Sequence, residues 1–89
     1  MKTVLLDCAS ITAVAQLHRQ LAELLQFPAW YGGNLDALYD CLTDIGEETC
    51  LQLINASCLD ALPNGYGGSF LVTLRDAGIE NDAFTFEII

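Results

Sequence analysis

Three aspartates, Asp36, Asp40 and Asp44, recur at intervals of four residues in the middle of the chain. Side chains spaced by four residues lie along the same side of an α-helix, at about 100° of rotation per residue, so these carboxylates form one anionic stripe. The chain has no lysine or arginine between Arg19 and Arg75, so no basic residue nearby in the sequence neutralises the stripe. Such a stripe is typical either of a solvated helix face or of a surface that docks into a cationic cleft.

Large aromatic side chains border this acidic stripe. Trp30 and Tyr31 precede it, and Tyr39 lies on its flank. Aromatic anchors beside charged groups are characteristic of protein–protein interfaces, although the same rings can instead cover the edge of a hydrophobic core. Gly32 and Gly33 allow the loop either a positive φ or a close approach to another molecule. Both interpretations of the rings remain open on these residues alone.

Carboxylate pairs can also serve as general acid and base in an enzyme. Asp36 and Asp40 on an exposed helix face would both point into water, with no second group to separate their pKa values. His18 follows Leu17 in an amphipathic helix, where a histidine is more commonly structural than catalytic. Hydrolase, metalloprotease and EF-hand motifs are absent from the sequence. We therefore predict no enzymatic activity and no catalytic residue.

Neither the cysteines nor the glycine-rich stretch follows a ligand-binding pattern. Cys8, Cys41, Cys50 and Cys58 include no C-x-x-C pair, so we expect reduced, buried thiols, no bound metal and no cofactor. Residues 64–69, Asn-Gly-Tyr-Gly-Gly-Ser, lack the lysine of a phosphate-binding loop and indicate a turn that leads into a helix.

The elements that position these residues follow from hydrophobic periodicity. Apolar and alternating segments predict strands at residues 2–7, 49–54 and 84–88, the second of them buried on both faces. Four helices are expected between the strands. Their predicted limits are Val14 to before Pro28 with Thr12 as the nearest cap, Leu35 to Ile45 with Asn34 as cap and Gly46 as stop, residues 57–62, and the segment from the cap Ser69 to Ala77 with Gly78 just beyond.

This order of elements requires crossover connections between the strands. It predicts an α/β fold in which about four helices pack on a three-stranded parallel sheet in two layers. A length of 89 residues leaves room for one domain, residues 1–89, and a hydrophobic content of 53% is sufficient for a core.

A net charge of −9 limits the possible partners. Nucleic acid and anionic membranes would be repelled, so a basic or uncharged partner is expected. The apolar runs are far shorter than the ~20 residues that span a bilayer, and no export signal is recognisable at the N-terminus. We expect a cytoplasmic protein that is a monomer when free, because the charge opposes tight self-association.

The segment from Pro28 to Thr43, Pro-Ala-Trp-Tyr-Gly-Gly-Asn-Leu-Asp-Ala-Leu-Tyr-Asp-Cys-Leu-Thr, closely resembles the central segment of the barstar family. Members of this family are intracellular inhibitors of barnase-type ribonucleases. The likeness extends to Leu17-His18, to Leu21 and to residues 75–77, whereas residues 46–68 are much less alike. The resemblance implies a three-stranded parallel sheet whose second helix and preceding loop plug the active site of a basic, barnase-like ribonuclease in a 1:1 complex.

The resemblance also implies roles for individual residues. Asp40 would enter the phosphate-binding site of the enzyme in place of an RNA phosphate, Asp36 would bind the basic wall of that site, and Trp30 would pack on the catalytic histidine. The complete predicted partner-binding set is Trp30, Gly32, Asn34, Leu35, Asp36, Tyr39, Asp40, Asp44 and Asp76. Several positions depart from the family pattern: Trp30 replaces Tyr, Gly33 an acidic residue, Tyr39 Trp, Asp44-Ile45 a Gly-Trp pair, and Asp76 Glu.

Other functions stay open at this point. The acidic surface also suits an immunity protein against a different basic toxin, or an acidic regulator of a nucleic-acid-binding protein. A small carboxylate-dependent hydrolase and a self-associating structural domain fit the sequence less well, because it contains no catalytic motif and has a high net charge.

Overall fold

A three-stranded parallel sheet organises the protein, which we describe over residues 1–89 from a computed structural model. Strands β1 (Lys2–Asp7), β2 (Thr49–Ile54) and β3 (Phe84–Ile88) lie side by side in that order. Val4 pairs with Leu51, which pairs in turn with Phe86 on the other side. The predicted α/β fold, its three strands and their parallel pairing are confirmed.

Helices cover only one face of this sheet. In β2 the side chains of Leu51 and Leu53 are fully buried, whereas Cys50, Gln52 and Ile54 are partly exposed on the opposite face. The prediction that β2 is buried on both faces is therefore wrong. Its apolar composition is typical of a doubly covered strand, but no helix packs on the second layer, and there the Gln52 amide donates to the Glu87 carboxylate at 2.7 Å.

Helix α1 (Val14–Leu25) places Leu17, Leu21 and Leu25 in the core. Its first turn has no side-chain cap at Ala13; instead, Thr12 donates its amide and hydroxyl to the side-chain oxygen of Gln16. The helix ends where Gln26 adopts a left-handed conformation, and its backbone N–H bonds back to the carbonyl of Ala22. The chain is thus turned away before Pro28.

Helix α2 (Leu35–Thr43) begins at Asn34, as predicted, because the Asn34 side chain accepts the amide of Ala37 at 2.8 Å. It ends three residues before the predicted stop at Gly46. The reason is a distant side chain: the Asn81 amide donates to the carbonyls of Leu42 and Ile45, at 2.9 Å each. These bonds satisfy the end of the helix, and Asp44 becomes its C-terminal cap.

Helix α3 (Tyr66–Glu80) is longer than predicted at both ends. It begins after Gly65, which is left-handed, so Ser69 lies inside the helix and is not its cap. Gly78, expected beyond the end, is also helical. The predicted short helix near residues 57–62 is a 3₁₀ helix at Ala56–Ala61, and two further 3₁₀ turns span Cys8–Ser10 and Pro63–Gly65.

The three α-helices and the longest 3₁₀ helix, four in all, bury one continuous apolar core against the sheet. No helix in the structure is both long enough and apolar enough to cross a lipid bilayer. The fully buried side chains of this core are Phe70, Phe84, Leu6, Leu17, Leu21, Leu38, Leu42, Leu51, Leu53, Leu59, Leu74 and Cys8.

Candidate protein-binding site

The predicted acidic stripe is present on the outer side of α2. Asp36 and Asp40 are exposed one turn apart on the helix, and Asp44 is exposed at its C-terminal cap. None of these carboxylates has a basic partner, since the one ion pair in the structure joins Arg75 and Asp76. Asp44 does not extend the helical stripe, as the spacing predicted, but continues the same acidic surface past the helix end.

The 26–34 loop brings the exposed aromatic surface to this helix. Trp30 at the tip of the loop is 81% exposed, which is unusual for so large an apolar side chain. Tyr31 points the other way and is half-buried, and its ring packs on Phe27 at a centroid distance of 4.8 Å. The two interpretations of the rings therefore each hold for one of them: Tyr31 covers the core edge, and Trp30 does not.

A groove of about 530 Å³ lies between the end of α1, the 26–34 loop and α2. Trp30 and Gly32 line it from the loop, while Asp40 and Asp44 line it from the side of α2. Burial raises the pKa of the Cys41 thiol in this groove, and the negative charges of Asp40 and Asp44 raise it further. The structure thus joins an exposed indole, two free carboxylates and a concave surface.

The other predicted site residues are placed less directly. The side chain of Asn34 caps α2, and Leu35 and Tyr39 are half-buried against the core. Asp76 lies on α3, where it forms an exposed ion pair of 3.3 Å with Arg75. Binding through Asp76 would therefore exchange an existing ion pair for a new one.

Sequence reasoning missed one arrangement next to the groove. The buried imidazole of His18 bonds to two tyrosines: its Nδ1 lies 2.6 Å from the hydroxyl of Tyr31, and its Nε2 lies 2.5 Å from that of Tyr66. His18 was correctly interpreted as structural, but nothing in the spacing of residues 18, 31 and 66 signals their convergence.

The structure offers no arrangement for metal chemistry. No three side chains among His, Cys, Asp and Glu converge as metal ligands, and every buried side-chain N or O has a hydrogen-bond partner. The four cysteines are unpaired. Cys8 is buried, and burial is the main cause that raises its pKa to about 11. The other three cysteines are partly exposed, so the prediction of buried thiols holds for Cys8 alone.

Comparison with known proteins agrees with the fold and the composition of this surface. A family model described as Barstar (barnase inhibitor) matches residues 1–89. A protein of Bacillus subtilis (strain 168) named "Putative ribonuclease inhibitor YrdF" is 44% identical over 78 residues, which cover 86% of each chain. Members of the matched family inhibit ribonucleases and are not enzymes themselves. Since the match spans the whole chain, the protein belongs to the barstar family.

Proposed function

We propose that this protein inhibits a basic, barnase-like ribonuclease by inserting α2 and the 26–34 loop into its active site, as a monomer that binds one enzyme molecule. One observation carries the proposal: exposed carboxylates without basic partners share a groove with an exposed tryptophan. Leaving such groups uncovered in the free protein is consistent with a partner that covers them.

The chemistry of the enzyme explains why an anionic helix is suitable. A ribonuclease active site is cationic because its substrate is a polyanion, so it attracts carboxylates through the same field that attracts RNA. Asp40 is proposed to accept charge-assisted hydrogen bonds in place of a phosphate, since arginine pairs with carboxylate and phosphate in a similar geometry. Asp36, one helical turn away, would bind a second basic group.

The remaining contacts surround this acidic centre. Trp30 is proposed to pack over the catalytic residues of the enzyme, and its large exposed surface makes it the main apolar anchor. The other proposed contact residues are Gly32, Asn34, Leu35, Tyr39, Asp44 and Asp76. We also propose that the inhibitor acts in the cytoplasm, where unpaired thiols such as those of this chain are usual.

The proposal is tested by titrating a barnase-type ribonuclease with the parent protein and with the Asp40→Ala variant, while RNA cleavage is followed at one salt concentration. The parent should inhibit at a 1:1 ratio. The variant should bind at least about 30-fold more weakly, because truncation of an interface hot spot costs about 2 kcal/mol or more of binding free energy.

Asp60→Ala is the matched control. Asp60 is exposed on the 3₁₀ helix Ala56–Ala61, outside the groove, so its replacement makes the same change in net charge without touching the proposed surface. This variant should inhibit within about threefold of the parent. Equal inhibition by Asp40→Ala and the parent would rule out the proposed role of Asp40, and a parent that inhibits no such ribonuclease would redirect the search to another basic partner.

A further inference from the structure

A buried chain of hydrogen bonds ties the 26–34 loop to the body of the protein. Tyr31 is in the loop, His18 is on α1, and Tyr66 is the first residue of α3. The imidazole joins the two hydroxyls through bonds of 2.6 and 2.5 Å, and its ring contacts that of Tyr66 edge-on at a centroid distance of 5.9 Å. Three segments far apart in sequence therefore meet at one side chain.

The protonation of His18 follows from the two partners. A neutral imidazole donates through one nitrogen and accepts through the other, so one tyrosine must donate to the ring and the other must accept from it. Tyr31 is the more deeply buried of the two. A tyrosine that accepts from the ring needs an outlet for its own proton, and Tyr66 reaches water more easily. The arrangement is therefore a Tyr31 hydroxyl donating to Nδ1 and an Nε2–H donating to Tyr66.

The anchored residue lies at the centre of the loop. Tyr31 separates the groove beside α2 from a second hollow of about 590 Å³ between α1 and the loop, and its side chain lines both. Its amide donates to the carbonyl of Pro28 at 3.0 Å, which closes the turn that carries Trp30. A displaced Tyr31 would therefore move the exposed indole as well.

We infer that His18 and Tyr66 are positioning residues, which hold the 26–34 loop in its binding-ready conformation through Tyr31. The inference rests on the proposed function, because it assigns the loop to the docking surface. A loop that is ordered before binding loses less conformational entropy in the complex, and this raises affinity without any new contact. Neither residue need touch the enzyme to have this effect.

The test removes one hydroxyl and leaves the ring. Tyr66→Phe keeps the packing against His18 but deletes the acceptor of its Nε2–H. In the free protein, hydrogen exchange at the Tyr31 amide should become about 2- to 10-fold faster, the range expected for the loss of one hydrogen bond. The ¹⁵N signals of His18 should show the Nε2-protonated tautomer in the parent, with the Nε2 signal shifted in the variant. Ribonuclease binding should weaken by a similar factor.

Thr49→Val serves as the control. Thr49 is also buried and donates its hydroxyl, but to the carbonyl of Glu47, away from the loop. It should leave both the Tyr31 amide and the His18 signals unchanged. Tyr31→Phe breaks the chain from its other end and should shift the Nδ1 signal instead, which keeps the test informative if Tyr66→Phe does not fold.

Two outcomes are distinguishable. Unchanged exchange at Tyr31 and unchanged His18 signals in Tyr66→Phe would overturn the positioning role, whatever the inhibition assay shows. Failure of the parent protein to inhibit any ribonuclease would overturn the proposed function, while the measurements on the free protein would still decide whether Tyr66 holds the loop.

Discussion

At the scale of single residues, His18 has the most unusual environment in the chain. Removal from water disfavours its charged form and lowers its pKa from the ordinary value of 6.5. The hydroxyls of Tyr31 and Tyr66 face the ring directly, and Arg19 and Glu23 of α1 line the hollow beside it. Desolvation also raises the pKa of both tyrosines, so they remain neutral partners over the physiological range.

This environment makes stability depend on pH. Because the unfolded chain binds a proton at His18 more readily than the folded protein does, the free energy of unfolding should fall as the pH drops below about 6.5 and level off below the folded pKa. Asp7 acts in a separate window: hydrogen bonds from Asn55 and the Ala9 amide lower its pKa, so its stabilisation is lost only below about pH 3.8.

Urea unfolding of the parent and of His18→Gln at pH 7.5 and 5.5 measures the effect. The comparison cancels the pH dependence of the overall charge, since both proteins carry the same carboxylates. The parent should lose stability relative to the variant at the lower pH. A difference between the two that stays constant across this range would contradict the coupling.

The sequence predicts single residues well where the cause is local and poorly where it is not. Asn34 was identified as a helix cap because its partner, Ala37, lies three residues away. The exposed aspartates of α2 followed from helical periodicity. In contrast, Tyr66 lies 48 residues from the His18 ring that it contacts, and no local pattern records that distance.

At the scale of elements, the same contrast decides where helices end. The start of α2 was predictable, but its end depends on Asn81, which lies 39 residues beyond the carbonyl of Leu42 that it binds. The start of α3 was misplaced for a similar reason. A glycine-rich stretch is typical of a turn, yet Gly67 is helical and buried because the backbone of the 3₁₀ helix Ala56–Ala61 passes directly over it.

This close approach predicts opposite outcomes for two neighbouring glycines. A Cβ at Gly67 would lie 2.5 Å from the carbonyl oxygen of Leu59, so Gly67→Ala should force the two elements apart and cost about 1–3 kcal/mol in the free energy of unfolding. A Cβ at Gly68 would meet nothing within 4 Å. Gly68→Ala should therefore be neutral or stabilise the protein by up to about 1 kcal/mol, since alanine favours the helix.

Urea unfolding of both variants provides the measurement. The pair is matched in chemistry and in helical turn, so the difference between them isolates the contact with Leu59. Equal stability of the two variants would mean that α3 and the 3₁₀ helix can separate at no cost.

At the scale of the whole molecule, the dominant property is a net charge of −9 carried by a chain with only three basic side chains. The sequence gives this charge directly, but it could not show that the helices leave one sheet face open, because a strand such as β2 has the same apolar composition whether one or both of its faces are covered. The charge produces a field that extends beyond any single contact and steers a basic partner towards the inhibitor.

Steering of this kind is sensitive to salt. The association rate with a basic ribonuclease should fall at least about tenfold as ionic strength rises from low salt to about 0.5 M, because screening shortens the reach of the field to a few ångströms. The dissociation rate should change much less, since it depends on contacts that are already formed. Stopped-flow mixing over a series of salt concentrations measures both rates. An association rate that does not respond to salt would argue against electrostatic steering.

Trp30 is the only tryptophan of the protein, and it is 81% exposed on the proposed docking surface. Its emission should therefore resemble that of an indole in water in both the folded and the unfolded chain, so intrinsic tryptophan fluorescence is a poor probe of folding here and circular dichroism should be used instead. The same position makes the protein a label-free sensor of its own complex: burial of the indole against a partner should shift its emission to the blue, with no competing signal from the core.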